Sequence, residues 1–164
     1  MPKPQYDLLV HRSHLLISDM ERALTVYRDI LGFKVNFLVD SLDVTYPMFD
    51  IDRSARCRTA FISEGRGAFG SLAMTEARGV ELPKRQAPHA FAVIIEVKEG
   101  RLPEIRKKIR ALGLESHEPM DLDNPPRTDW SFTDYDGHRV VVFEIHPRPK
   151  RQIGDGEKAA DNVN

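Results

Sequence analysis

The chain has 164 residues and a formal net charge of -1, from 24 basic and 25 acidic side chains. That balance, with no basic stripe interleaved with aromatics, argues against nucleic acid as a partner, while a 41% hydrophobic share supports a true globular core. The single cysteine, Cys57, excludes an intramolecular disulfide framework and a multi-cysteine zinc site. It fits a cytoplasmic location, as does the lack of any apolar run near the ~20 residues of a membrane span or of a signal-peptide core around Lys3.

In chain order, Met1 to Asp7 is polar with two prolines and reads as a loose lead-in. Leu8 to Ile17 predicts the first strand, closing on the apolar run Leu15 to Ile17. Ser18, three residues ahead of Glu21, matches a capping box. The helix that follows carries Met20, Ala23, Leu24, Tyr27, Ile30 and Leu31 on one face, and Gly32 supplies its stop. Phe33 to Val39 reads as a strand, and Asp40 to Arg56, with Pro47, as a long loop. Arg58 to Ser63 and Phe69 to Thr75 predict two strands joined at Glu64 to Gly67, a hairpin turn. Residues 79–88 form a polar, proline-bearing linker.

The plan then repeats. Phe91 to Val97 is nearly unbroken apolar and predicts a buried strand. Pro103 suits a first helical turn, Leu102, Ile105, Ile109 and Leu112 mark a buried stripe, and Gly113 ends it as Gly32 ended the first. Strands are expected near Glu115 to Met120, Asp129 to Thr133 and Arg139 to Ile145, with Pro125 and Pro126 in a loop. From Pro147 onward there is little to bury, and a disordered tail is expected. The domain reading is 8–78 for a first βαβββ module, 79–88 for a linker, 89–146 for a second module and 147–164 for the tail.

Ile17, Ser18, Asp19, Ala23, Tyr27, Leu31, Gly32 and Phe33, with the turn Asp134-Tyr135-Asp136-Gly137-His138, resemble the vicinal oxygen chelate superfamily. That superfamily includes glyoxalase I, extradiol dioxygenases, methylmalonyl-CoA epimerase, and fosfomycin- and bleomycin-resistance proteins. The resemblance implies an α+β fold of two βαβββ modules, whose mixed sheet forms a half-open cup. It also implies a homodimer and, at the cup floor, a divalent metal held by His, Gln or Glu from four strand positions.

Counted from the motifs, those four positions hold Arg12, Ala73, His89 and Val141. A guanidinium has no lone pair for a metal, and alanine and valine offer nothing. No cofactor is therefore expected, unless the registers are wrong and Fe, Mn, Ni or Zn binds after all. Arg12 reads equally as an anion clamp or as a strand-end arginine paired with a surface acid. His14 shares its face with Arg12 and could be a ligand, a general base or a satisfied core histidine. His89 lies either inside the cup or, with a one-residue slip, at its rim. Glu76 reads as a solvated acid, and Glu144 should face away from Val141 unless a bulge intervenes. Tyr46, Phe49, Trp130 and Phe132 line a cavity or belong to the core, and Cys57 is a small hydrophobe preceding a buried strand.

Three functions fit the sequence. One is a metal-independent isomerase or lyase acting on a small oxygenated or acidic molecule. Arg12 would be its clamp, His14 or His89 its acid/base, and Trp130 and Phe132 its substrate walls. Another is a binding protein of the bleomycin-resistance kind. The third is a metal-dependent glyoxalase-like lyase or ring-cleaving dioxygenase.

Overall fold

Twice along the chain a strand runs into a helix stopped by a glycine at positive φ, and three strands follow. The computed structural model describes residues 12–40, 45–65, 70–83 and 89–147. The first sheet contains β1 (Ser13–Ile17), β2 (Lys34–Asp40), β3 (Arg56–Ser63) and β4 (Leu72–Arg78), in the order β1-β4-β3-β2. The second contains β5 (Ala92–Val97), β6 (Met120–Asp123), β7 (Pro126–Thr133) and β8 (Arg139–Ile145), in the order β5-β8-β7-β6. In each, the first strand pairs parallel with the last and the other pairings are antiparallel. This is the expected α+β architecture of two open mixed sheets.

Helix α1 (Met20–Leu24) continues as a π-helical segment, Thr25–Ile30, that places Val26, Tyr27 and Ile30 in the core. Nothing in the 3.6-residue periodicity announced that change. Gly32 (φ 92°) and Gly113 (φ 72°) take the left-handed conformation that ends each helix, as expected from Leu-Gly at both points. Helix α3 (Leu102–Ala111) buries Leu102, Ile105 and Ile109. The apolar faces of α1 and α3 and the facing sides of both sheets merge into one core, which includes Leu15, Ile17, Ile62, Met74, Trp130, Phe132, Val140 and Val142.

Several expectations are corrected. The α1 cap is Asp19, whose side chain accepts the Arg22 N–H at 2.9 Å, whereas the Ser18 N–H donates to Asp136. The expected 40–56 loop contains a short helix, α2 (Thr45–Phe49), with Tyr46 packed against Leu16, Ala55, Cys57 and Ala77. Cys57 lies within β3 rather than before it. Strand β4 begins at Leu72, three residues later than anticipated. The strand forecast near Glu115 instead starts at Met120; residues 115–117 only lean on β7, through the Ser116 bridge and the His117 N–H donated to Ser131. Pro126 starts β7 rather than sitting in a loop. Strand β5 is not buried throughout: Ile94 is 68% exposed. The forecasts for residues 1–11 and most of the tail lie outside the described residues, as does the centre of the Glu64–Gly67 turn.

Candidate functional site

Strand alternation divides each sheet into a face toward the helices and a face away from them. In β1, Leu15 and Ile17 point to the helices and Leu16 to the other side. Arg12 and His14 share the side of Leu16. In β3 and β4 the helix-distal set is Cys57, Thr59, Phe61 and Ser63 with Ala73, Thr75 and Ala77, and Phe37 of β2 joins it opposite Phe61.

On this face the described side chains form one connected group. The Arg12 guanidinium carbon lies 4.9 Å from the Phe61 ring centre, and Phe61 stacks on Phe37 at 4.5 Å. His14 meets the Phe49 ring edge-on at 5.0 Å, so α2 forms one wall. His14 Nε2 is 2.8 Å from Thr75 Oγ1, which is 2.7 Å from Thr59 Oγ1, giving an imidazole–hydroxyl–hydroxyl chain that runs from a half-buried ring to buried hydroxyls. Burial, and secondarily the Arg12 charge, pull the His14 pKa down to about 4. The ring is therefore neutral at physiological pH. On the same face of the sheet, burial pushes the Cys57 thiol pKa up, which suits packing rather than nucleophilic attack.

The registers also settle how the modules correspond. Ile17 stands opposite Glu76 in the first sheet, as Val97 stands opposite Glu144 in the second. Arg12, five residues before Ile17, thus has Ala92 as its counterpart, and His14 has Ile94. Ala73 and Val141 are equivalent in the same way, three residues before the two glutamates. His89 precedes β5 altogether, so the β5 position equivalent to Arg12 holds a methyl group. A guanidinium, two alanines and a valine offer no side-chain donor to a divalent metal. Among the described residues no three His, Cys, Asp or Glu side chains converge as ligands.

Glu76 and Glu144 perform structural work. Both are buried, and Glu76 Oε1 accepts the Met20 N–H at 3.0 Å while Glu144 Oε2 accepts the Leu102 N–H at 3.1 Å. Each thus caps its own module's helix from the last strand. Glu76 is not the solvated acid its place in the sequence suggested. For Glu144, burial opposes ionisation, but the backbone N–H groups of Gly100, Leu102 and Arg101 and the nearby His146 hold its pKa below the usual carboxylate range. The signal in the sequence was the repeat itself: Ile17 and Val97 each lead into a helix, and each faces a glutamate one module-length on.

Trp130 and Phe132, expected as substrate walls, instead stack on each other in the helix-side core, with Trp130 Nε1 donating to the His117 carbonyl at 2.7 Å. The Asp134–His138 turn joins the modules. Asp134 accepts the Tyr27 hydroxyl at 2.9 Å, the His138 ring at 3.0 Å and the backbone N–H groups of Asp136 and His138. Arg22 covers the Tyr135 ring at 4.0 Å. The two stretches that carried the family resemblance are therefore partners in one contact.

No protein-family model matches the chain, and no curated protein matches it in sequence. Solved structures do match in fold. A glyoxalase family protein from Bacillus cereus aligns with TM-score 0.68 at 10% identity, over 90% of this chain and 99% of that one. A glyoxalase/bleomycin resistance protein/dioxygenase domain from Frankia sp. gives 0.60 at 15%, over 87% and 95%. A point mutant of the fosfomycin resistance protein FosX of Listeria monocytogenes, solved with Mn(II) and 1S,2S-dihydroxypropylphosphonic acid, gives 0.56 at 15%, over 86% and 95%. At these identities the likeness establishes the fold.

Proposed function

We propose that this chain, a vicinal oxygen chelate fold with Arg12, Ala73, Ala92 and Val141 at its four equivalent ligand positions, binds a small acidic molecule without a resident divalent metal there. The carrying observation is the shared face of Arg12 and His14, with the guanidinium stacked on Phe61 and the imidazole tied to Thr75. Arg12 would clamp a carboxylate or similar oxyanion bidentately. Phe37, Phe49 and Phe61 would pack its apolar part.

The chemistry we propose is isomerase- or lyase-like proton transfer by His14. At a pKa of about 4 the free imidazole is a weak base. An anion on Arg12 would neutralise the charge that helps to depress it, so the ligand itself would raise the basicity of His14. The same low pKa favours a second reading, a bleomycin-resistance-type protein that sequesters its ligand unchanged. Deuterium exchange into a bound acid, followed by NMR, decides between them. Exchange that Arg12→Ala and His14→Gln both abolish supports the enzyme. Binding without exchange supports the sequestering protein, and no binding of any acidic ligand overturns both.

We further propose a homodimer. The helix-distal face of the second sheet presents Ile94 (68% exposed), Met120 (63%) and Ile145 (41%) on one side, an apolar surface suited to a second copy. Light scattering at micromolar concentration should give a dimer, and Ile94→Asp a monomer. A wild-type monomer would remove the proposal.

A further inference from the structure

The helix-side face of the first sheet carries a second cationic site at the opposite end of the strands, away from Arg12. Arg56 and Arg58 are two residues apart in β3 and so point the same way. The register sets Arg56 directly opposite Arg78 of β4, and Arg58 between Glu76 of β4 and Asp40 of β2. Asp40, Arg56, Cys57, Arg58, Glu76 and Arg78 line a depression of about 390 Å³.

One cation in this depression lacks a partner among the described residues. Its lining holds three guanidiniums and two carboxylates, with Glu21 and Asp19 close to Arg58 and Arg78, and Glu76 is already committed. It is buried, caps α1 through Met20, and receives Arg78 in a two-point contact, Nε–Oε2 and Nη2–Oε1 both at 3.1 Å. That contact fixes the Arg78 guanidinium in place. Arg58 leans toward Glu21 at 3.7 Å, whose carboxylate is 70% exposed. Arg56 makes no ion pair with any described residue. Like charges directly opposite on paired antiparallel strands cost stability, and here Glu76 relieves the Arg78 side of the pair while Arg56 has no such partner among the described residues. An oxyanion of two negative charges would supply one, by accepting from the pre-oriented Arg78 and the exposed Arg56 while Arg58 supplies the third cation.

We propose that this depression binds a phosphate group, either inorganic phosphate or the phosphoryl end of a small metabolite. It is separate from the Arg12 face and independent of the function proposed there.

The test is titration of the isotope-labelled protein by NMR, reading backbone amides of β3 and β4 and the arginine Nε–H signals. One arm uses inorganic phosphate and the other glycerol 3-phosphate, both against chloride at matched ionic strength. Saturable shifts at Arg56 and Arg78 are expected in at least one arm. The tighter arm identifies the source. Arg56→Gln should weaken binding at least tenfold, whereas Arg110→Gln, an exposed arginine on α3, should leave it unchanged. Without phosphate, Arg56→Gln should melt no lower than wild type because it removes a cation that has no ion-pair partner among the described residues. With phosphate, only wild type should gain melting temperature. Linear, non-saturating shifts, or equal losses in the Arg56 and Arg110 variants, would reduce the effect to general charge screening and overturn the site.

Discussion

The two modules share a skeleton and differ most on one face. On the helix side the framework positions match: Ile17 and Val97, Gly32 and Gly113, Glu76 and Glu144 as caps. On the helix-distal side Arg12 and His14 of the first module correspond to Ala92 and Ile94 of the second. The polar chain through Thr75 and Thr59 has no counterpart along Phe143 and Asp129. The first module also inserts α2 over this face, which brings Phe49 to His14, whereas the second leaves Ile94 and Met120 in the open. The helix side answers to packing, which constrains both copies equally. The distal side is free of that constraint, so chemistry can concentrate in one copy and an interaction surface in the other.

The contrast between faces is broken most directly within the second module. Trp130→Ala should cost ~3–5 kcal/mol, as loss of a large buried aromatic does, whereas Ile94→Ala on the opposite face should change monomer stability by no more than ~0.5 kcal/mol. Denaturant melts of both variants, at concentrations low enough to exclude association, check this. Comparable losses would mean that the distal face is packed, not open.

The contrast between modules is sharpened next by ligand affinity. Arg12→Ala should lose ~2–5 kcal/mol of affinity for an acidic ligand with little effect on a neutral analogue, while Arg139→Ala, on the distal face of the other sheet, should lose almost nothing. Isothermal titration of both variants measures the difference. A smaller effect tests the shared skeleton instead: Glu76→Gln and Glu144→Gln should each destabilise by ~0.5–2 kcal/mol, since each weakens one helix cap. The Glu76 change should be the larger, because it also releases Arg78. If only one of the two were felt, the equivalence of the caps would fail.

Which of these features the sequence disclosed follows from the reach of each signal. Apolar periodicity and Leu-Gly stops are local, so both helices, most strands and the repeat were legible. Asp40 to Arg56 defeated the reading because Pro47 and scattered charge hide a helix that exists through the contacts of Tyr46 with Leu16, Cys57 and Ala77. The π-segment was equally silent, since its register serves Tyr27 reaching Asp134, 107 positions along the chain. At the candidate site, the shared face of Arg12 and His14 followed from strand alternation. The partners of His14, Phe49 and Thr75, required tertiary pairing. For Trp130 and Phe132 the sequence left cavity wall and core both open, because composition records that an aromatic is apolar, not which face of β7 it occupies. His89 was assigned by a motif offset, and only the β5–β8 register showed that Ala92 holds the place equivalent to Arg12.

The finest distinction between the modules is their response to pH. His14 has a folded pKa of about 4, below the ~6.5 of an unfolded chain. Between those values the unfolded state binds more protons than the folded one, so stability should rise with pH through this window and fall on acidification from pH 6.5 toward 4. Below the folded pKa the contribution becomes flat. Ile94, the counterpart in the second module, titrates nothing. That module's pH signature is Glu144, whose depressed pKa makes its stabilisation fade only once pH falls below the usual carboxylate range. His14→Asn should therefore flatten the upper part of the stability–pH curve and leave the lower part intact, while Glu144→Gln should do the reverse. Saturating Arg12 with an acidic ligand should raise the His14 pKa, because the Arg12 charge is its second cause, though not to the unfolded value, since burial remains. Histidine ring resonances followed through a pH titration, with and without ligand, would show this. A His14 that titrates near 6.5 in the free protein would place its ring in solvent and detach it from the Arg12 site.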